Sequence, residues 1–239
     1  MCFTISVERK AKEAIEQFIK SNAHIQNRID FEEDYYLVSG FSHPKLPLLM
    51  QHSVELSEWG LIPSFVNNEE KMLDIRDKTL NARSDTIHEK VSFKSSIRHQ
   101  RAVLPVDGFF EWKHVGRDKV PHYIFPKDET AFFLGCIYNP WTDRQTGEII
   151  NTFSIITTDA NPMMEVIHNS KKRMPLILSR DDIKRWIDPS IEIEDVNSLM
   201  KPYPDSRMNA YQVSKDAGNS RINRNHMGIK KRIENTFLF

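Results

Sequence analysis

Residue 2 of the chain is a cysteine. An initiator methionine is readily removed when a small residue follows it, and cysteine qualifies. Cleavage after Met1 would give Cys2 an α-amine and a thiol on one residue. An α-amine has a pKa of about 7.7–8.0, against about 10.4 for a lysine, so far more of it is neutral and nucleophilic at pH 7. With an aldehyde such an amine gives an imine, and the thiol two bonds away closes it to a thiazolidine, a much more durable linkage. Position alone leaves a second reading open, in which Cys2 is an incidental buried thiol near a chain end.

Three further segments carry side chains suited to chemistry. Asn81-Ala82-Arg83-Ser84-Asp85-Thr86 sets an amide and a guanidinium just before an expected helix N-terminus, a natural place for an anion. A plain helix cap with a surface arginine would read the same way. Asp107-Gly108-Phe109-Phe110-Glu111-Trp112 sets a carboxylate inside an aromatic run. Desolvation there raises its pKa toward the range useful for proton transfer, although a salt-bridged edge-strand glutamate fits the same pattern. His168 closes a helix and leads into the basic stretch Asn169-Ser170-Lys171-Lys172-Arg173. It is either an acid/base or a cap matched to the helix dipole. Trp59 and Phe65 flank a Gly/Pro turn, where aromatics either stack on unpaired bases or join the core.

The elements that must position these residues are short. Ala11, Ala14, Ile15, Phe18 and Ile19 form the stripe of one amphipathic helix. Ser84 or Asp85 is expected to cap a helix carrying Ile87 and Val91. Thr158 or Asp159 is expected to cap a helix through Met163, Met164 and Ile167, with Pro162 in its first turn. Ser179-Arg180-Asp181-Asp182 opens a helix with Ile183, Trp186 and Ile187. Strands are predicted at Tyr35–Val38, Arg101–Leu104, His122–Phe125, Ala131–Ile137, Phe153–Thr157, Met174–Leu178 and Tyr211–Val213. Asp143–Gly147 reads as a hairpin turn. Strands do not alternate with long helices, so a doubly wound parallel sheet is disfavoured. The expected fold is α+β, one domain over 1–239 with a largely antiparallel, barrel-like sheet flanked by short helices.

Composition sets the remaining bounds. The 239 residues are 39% hydrophobic and 28% charged, which excludes collagen-like, coiled-coil and wholly disordered chains. Thirty-three basic and 33 acidic residues leave no net charge, so a case for nucleic acid must rest on local patches. Two such segments exist. Between Asn81 and Arg101 the basic residues are Arg83, Lys90, Lys94, Arg98 and Arg101, and Lys215–Arg232 is basic apart from Asp216. Two cysteines without Cys/His ligand spacing give no reason to expect a disulfide scaffold or a metal. No apolar run reaches membrane-spanning length and no secretory signal is present, so a cytoplasmic protein is expected.

Taken in order, these segments resemble the SOS-response-associated peptidase (SRAP) family of abasic-site-processing proteins. The resemblance rests on Met1-Cys2, Trp59-Gly60-Leu61-Ile62-Pro63, Asn81-Ala82-Arg83-Ser84-Asp85-Thr86 with Phe93, and Pro105-Val106-Asp107-Gly108-Phe109-Phe110-Glu111-Trp112. It continues with Thr158-Asp159-Ala160-Asn161, Ile167-His168 and Arg173-Met174-Pro175. It implies a protein that crosslinks covalently to abasic sites in single-stranded DNA, with autoproteolytic loss of Met1 and links to lyase chemistry. Cys2 would make the crosslink and Asn81 would orient the substrate or the N-terminal residue. Glu111 would move protons and His168 would assist opening of the sugar. Arg83 would hold a phosphate, and Trp59, Phe65 and Arg173 would complete the DNA contacts. No cofactor is implied, and a monomer without membrane attachment is expected. The sequence departs from the family's common start, Met-Cys-Gly-Arg, because Phe3 and Thr4 follow Cys2. Phe65 stands where a tryptophan is frequent, and Asn169–Lys172 lengthen the stretch before Arg-Met-Pro.

Two other classes use the same residues. An N-terminal-nucleophile hydrolase or amidotransferase would attack an amide with the Cys2 thiol. A non-catalytic single-strand-binding module would need only Trp59, Phe65 and the basic segments.

Overall fold

The computed structural model describes residues 2–22, 24–25, 31–128 and 130–233. In chain order the strands are β1 (Thr4–Val7), β2 (Tyr35–Ser39), β3 (Lys45–Leu49), β4 (Val54–Trp59), β5 (Asn81–Arg83), β6 (Arg101–Val106) and β7 (Gly108–Val115). They continue as β8 (Asp118–Pro126), β9 (Phe132–Thr142), β10 (Ile149–Asp159), β11 (Arg173–Pro175), β12 (Ile177–Leu178) and β13 (Met208–Gln212). The α-helices are α1 (Arg9–Ser21), α2 (Glu69–Arg76), α3 (Ser96–His99), α4 (Pro162–Ile167), α5 (Ile183–Ile187) and α6 (Ile193–Leu199).

Strands β10, β4, β3, β6 and β9 pair in that order, and β9 pairs back to β10 to close a ring. Every contact in the ring is antiparallel except β10–β4. A second sheet runs β13-β8-β7-β1-β2. The fold is therefore α+β with a mostly antiparallel, barrel-like core. The Asp143–Gly147 turn joins β9 to β10, with Gly147 at φ 76 and its N–H on the Asp143 carbonyl at 2.8 Å.

Alternation along the ring strands sorts the core into two main clusters. Leu46, Leu48, Leu104, Leu134, Cys136, Phe153 and Ile155 join Cys2, with Ile5, Phe109 and Ile124 of the second sheet and Met164 and Ile167 of α4. The opposite alternation, with Leu49, Val103, Phe133, Ile137 and Ile156, packs under α1, α5 and α6 through Ile15, Trp186 and Val196. The first cluster reaches the chain's start, and the candidate site lies along it.

Two buried charged groups fasten this frame. Asp107 accepts the backbone N–H groups of Glu8, Lys10 and Ala11 at 2.7, 3.1 and 3.1 Å, serving as a cap for α1 from across the fold. Arg101, 2% exposed, donates to the Trp186 and Ile97 carbonyls at 2.8 and 2.9 Å and to those of Arg98 and Asp188. It thereby holds the ends of α3 and α5, and the basic segment expected before residue 101 loses one of its surface charges. Lys230 is likewise engaged, in a half-buried pair with Glu8.

Two expected helices differ in detail. Residues 84–94 form successive turns instead of a helix, because the Asp85 carboxylate is taken by Arg83 and caps nothing. The helix before His168 is capped by Asn161, whose Oδ1 accepts the Met164 N–H at 2.9 Å, with Pro162 in the first turn.

Candidate active site

Cys2 lies two residues before the start of β1 and is fully buried. Across from it lies Asn81, the first residue of β5. Three residues make a strand here only because β10 offers its edge, pairing Ile155, Ile156 and Thr157 in parallel with Asn81, Ala82 and Arg83. That pairing fixes the Asn81 amide, whose Nδ2 donates to the Cys2 carbonyl at 2.9 Å and to the Leu80 carbonyl at 2.8 Å. Its Oδ1 is buried and accepts no hydrogen bond from any described residue.

Glu111 comes from β7. Phe110 and Trp112 face an aromatic cluster with Tyr123, so alternation turns Phe109 and Glu111 toward the core cluster that holds Cys2. In the β1–β7 register Ile5 opposes Phe109, and continuing it two residues sets Phe3 across from Glu111. Glu111 is 3% exposed. Burial raises its carboxyl to about 7, with the Trp112 backbone N–H drawing it partly back. Burial and then the Glu111 charge push the Cys2 thiol above its ordinary value. Carboxyl and thiol thus feel one another in a poorly solvated space.

His168 is the C-cap of α4, its N–H on the Met164 carbonyl at 2.7 Å. The following loop turns back through Lys172 at φ 46 and returns Arg173 to the ring. There the His168 Nδ1 lies 2.8 Å from the Arg173 carbonyl, which can only accept, and 3.3 Å from the Arg173 N–H; the shorter contact assigns the proton to Nδ1 and leaves Nε2 as the basic nitrogen. Burial lowers the imidazole to about 4, so the ring is neutral at pH 7. Asn169 clamps this end of α4 to β7, accepting the His114 N–H at 3.0 Å and donating to its carbonyl at 2.9 Å. The strand of Glu111 and the helix of His168 are therefore tied directly.

Beside Asn81, Arg83 and Arg173 flank Asp85. Arg83 Nε donates to Asp85 at 3.0 Å, with a second, shorter contact through Nη2, and Arg173 Nη1 stands 3.7 Å from the same carboxylate. Arg173 is 6% exposed and also donates to the Thr157 carbonyl and hydroxyl at 2.8 and 2.9 Å. Its Nε has no acceptor among the described residues. Arg83 and Arg173 thus share the Asp85 carboxylate, one guanidinium exposed and the other buried.

The aromatic expectations separate. Trp59 is fully buried, with its indole N–H on the Leu80 carbonyl at 2.8 Å and its ring stacked on Phe153 at 6.0 Å. It offers no face to a base, which corrects the expected DNA contact. The reason is its place at the end of β4, paired with Phe153 of β10 inside the ring. Phe65 lies 54% exposed after Pro63, and no described contact joins it to Cys2. Asn169 was not anticipated, although an amide directly after a helix-closing histidine is the signal that would have found it.

The chain is similar to known proteins in both sequence and fold. The profile of the SOS response associated peptidase (SRAP) family matches residues 1–220. A Bacillus subtilis protein named abasic site processing protein YoaM is 39% identical over 158 residues, 65% of this chain and 66% of the relative. A Xenopus tropicalis protein named abasic site processing protein HMCES is 31% identical over 184 residues, 69% of this chain and 53% of the relative. The matched regions thus span about two thirds of the bacterial relative and about half of the frog one. A crystal structure of a Bacteroides thetaiotaomicron protein superposes with a TM-score of 0.88 at 37% identity, covering 97% of this chain and 100% of that one. The chain belongs to the SRAP family.

Proposed function

We propose that this protein processes abasic sites in single-stranded DNA by covalent capture through Cys2. The observation that carries the reading is the meeting of Cys2, Asn81 and Glu111. The amide of Asn81 holds the Cys2 carbonyl at 2.9 Å, and the buried Glu111 carboxyl, raised to about 7, acts on the Cys2 thiol.

Loss of Met1 frees the Cys2 amine at the carbonyl-anchored residue. An abasic sugar is mostly a closed hemiacetal. A neutral His168 with Nε2 basic is suited to take the anomeric hydroxyl proton and return it to the ring oxygen as the bond between that oxygen and the anomeric carbon breaks to give the aldehyde. The Cys2 amine adds to the aldehyde carbon, and the carbinolamine loses water to give an imine. A carboxyl that titrates near 7 is half protonated at neutral pH. Glu111 can therefore give a proton to the departing hydroxyl and accept one from the thiol. The thiol sulfur then adds to the imine carbon, its proton going to nitrogen by way of the carboxylate, and the thiazolidine closes. The balance is one amine, one thiol and one aldehyde in, one thiazolidine and one water out, with no oxidant. The acceptor-only Oδ1 of Asn81 would take a donor from the amine or the sugar, relieving the cost of an unmet buried acceptor, about 1–3 kcal/mol. Arg83 and Arg173 would hold the adjoining phosphate.

The test is to incubate protein lacking Met1 with abasic single-stranded DNA and run denaturing gels after heating in detergent. A heat-stable adduct is expected with the wild type. Cys2→Ala should give only a slow, borohydride-trappable imine. A fully heat-stable adduct from Cys2→Ala would refute the assignment to the thiazolidine.

A further inference from the structure

Next to the buried Cys2 the chain presents an exposed aromatic pair. Phe3, half-buried against the core, and Phe41, 55% exposed, have ring centroids 5.1 Å apart with planes inclined by 49°. Phe3 is bonded to Cys2 itself. Phe41 sits in a 3-10 turn, Gly40–Ser42, that is braced on every side. Gly40 N–H donates to the Phe3 carbonyl at 2.9 Å, the Ser42 hydroxyl donates to the Ser39 carbonyl at 2.7 Å, and His43 N–H closes on Gly40 at 3.0 Å. The Trp59 indole lies under the turn, since a Cβ on Gly40 would stand 3.0 Å from its ring atoms. The His43 ring then bonds the Trp59 carbonyl at 2.6 Å.

An exposed phenylalanine on a mobile loop would be unremarkable surface. One held this firmly, against a neighbour covalently joined to Cys2, is a preformed apolar face that has already lost much of its conformational entropy. Stacking on such a face needs no hydrogen-bond complement, so it accepts any base. Leu80, the residue before β5, would stand 3.2 Å from a Cβ on Gly40, and Asn81 holds the Cys2 carbonyl, so the short strand that carries Arg83 starts beside the turn that bears Phe41.

We propose that the Phe3–Phe41 pair is a stacking platform for the unpaired nucleobase flanking the abasic site. It takes the role expected of Trp59, which instead supports the platform from beneath. The proposal rests on the reading that this face binds abasic single-stranded DNA, and it assigns the ligand class of a subsite within it.

The experiment separates stacking from crosslinking. Single strands carrying a tetrahydrofuran abasic analogue, which has no aldehyde to trap, are prepared with 2-aminopurine either next to the lesion or several nucleotides away. The wild type should quench the adjacent 2-aminopurine and leave the distant one bright. Phe41→Ala and Phe41→Leu should weaken binding about tenfold, within the range of one base–aromatic stack, and lose the quenching, whereas Phe41→Trp should restore both. Ile149→Ala, which removes an exposed apolar side chain at the start of β10, serves as the control and should change neither. Because Phe41 is at the surface, circular dichroism of its variants should match the wild type. Equal affinity and equal quenching in Phe41→Ala would overturn the platform. Quenching by a wild type that never crosslinks aldehyde-bearing DNA would instead sink the capture reading and leave the platform standing. A wild type that crosslinks aldehyde-bearing DNA but does not bind the analogue would overturn the platform alone.

Discussion

Glu111→Gln is expected to make the protein more stable and less active together, and the stability gain should depend on pH. The carboxyl is raised from 4.5 to about 7, first of all by burial. Between those values the native state keeps a proton that the unfolded chain releases. Wild-type stability therefore falls as pH rises through this window, and above it the full cost of a buried carboxylate is present. Linkage puts that cost at about 0.8 kcal/mol at pH 5 and about 3 kcal/mol at pH 8. His168 changes stability in the opposite sense: its native value of about 4 lies below the unfolded 6.5, so its contribution rises between those values. The two trends partly cancel in the wild type, which is why the comparison with Glu111→Gln is informative. Glutamine keeps shape and volume and cannot ionise. Urea unfolding followed by tryptophan fluorescence should show the variant ahead of the wild type by about 0.8 kcal/mol at pH 5 and by about 3 kcal/mol at pH 8. Adduct formation should slow by at least tenfold over the same range. Parallel stability curves would show that Glu111 titrates normally and would remove the physical basis for its role.

Trp59→Phe should cost about 2–3 kcal/mol through a cavity and the lost bond to Leu80, read as a lower Tm, with no specific loss of base quenching. A loss of DNA affinity at unchanged Tm would return Trp59 to the DNA surface. Arg83→Ala should flatten the dependence of log affinity on log salt by about 0.7 for single-stranded DNA, since one phosphate contact is removed. An unchanged slope would mean that Asp85 keeps Arg83 occupied throughout.

How much of this was legible in the sequence follows from which interactions are local. The stripe of α1, Pro162 opening α4 and the Asp143–Gly147 turn depend on neighbours a few residues away, and each stands where the pattern put it. The desolvation of Glu111 was readable too, because an aromatic run flanks it on both sides. Strand β5 was not, since Asn81–Arg83 is extended only by the edge of β10, more than seventy residues away. The helix expected after Ser84 failed because Asp85 spends its carboxylate on Arg83. Strands β3 and β4 escaped notice for a related reason, as Pro47 argues against a strand until β4 pairs alongside. Trp59 was read for its chemistry, while its burial is set by the closure of the ring around Phe153. Phe3, which the sequence marks as a departure from the family's usual glycine, gains meaning only when the Gly40–Ser42 turn brings Phe41 to it.

The central claim is a bond between Cys2 and an abasic sugar, and intact mass spectrometry reads it directly. Protein lacking Met1 and an abasic oligonucleotide should combine at the sum of their masses less one water. Borohydride should leave that mass unchanged, because a closed thiazolidine has no imine left to reduce. An adduct that gains hydrogen on reduction, or the free protein alone after full exposure to abasic DNA, would contradict the account.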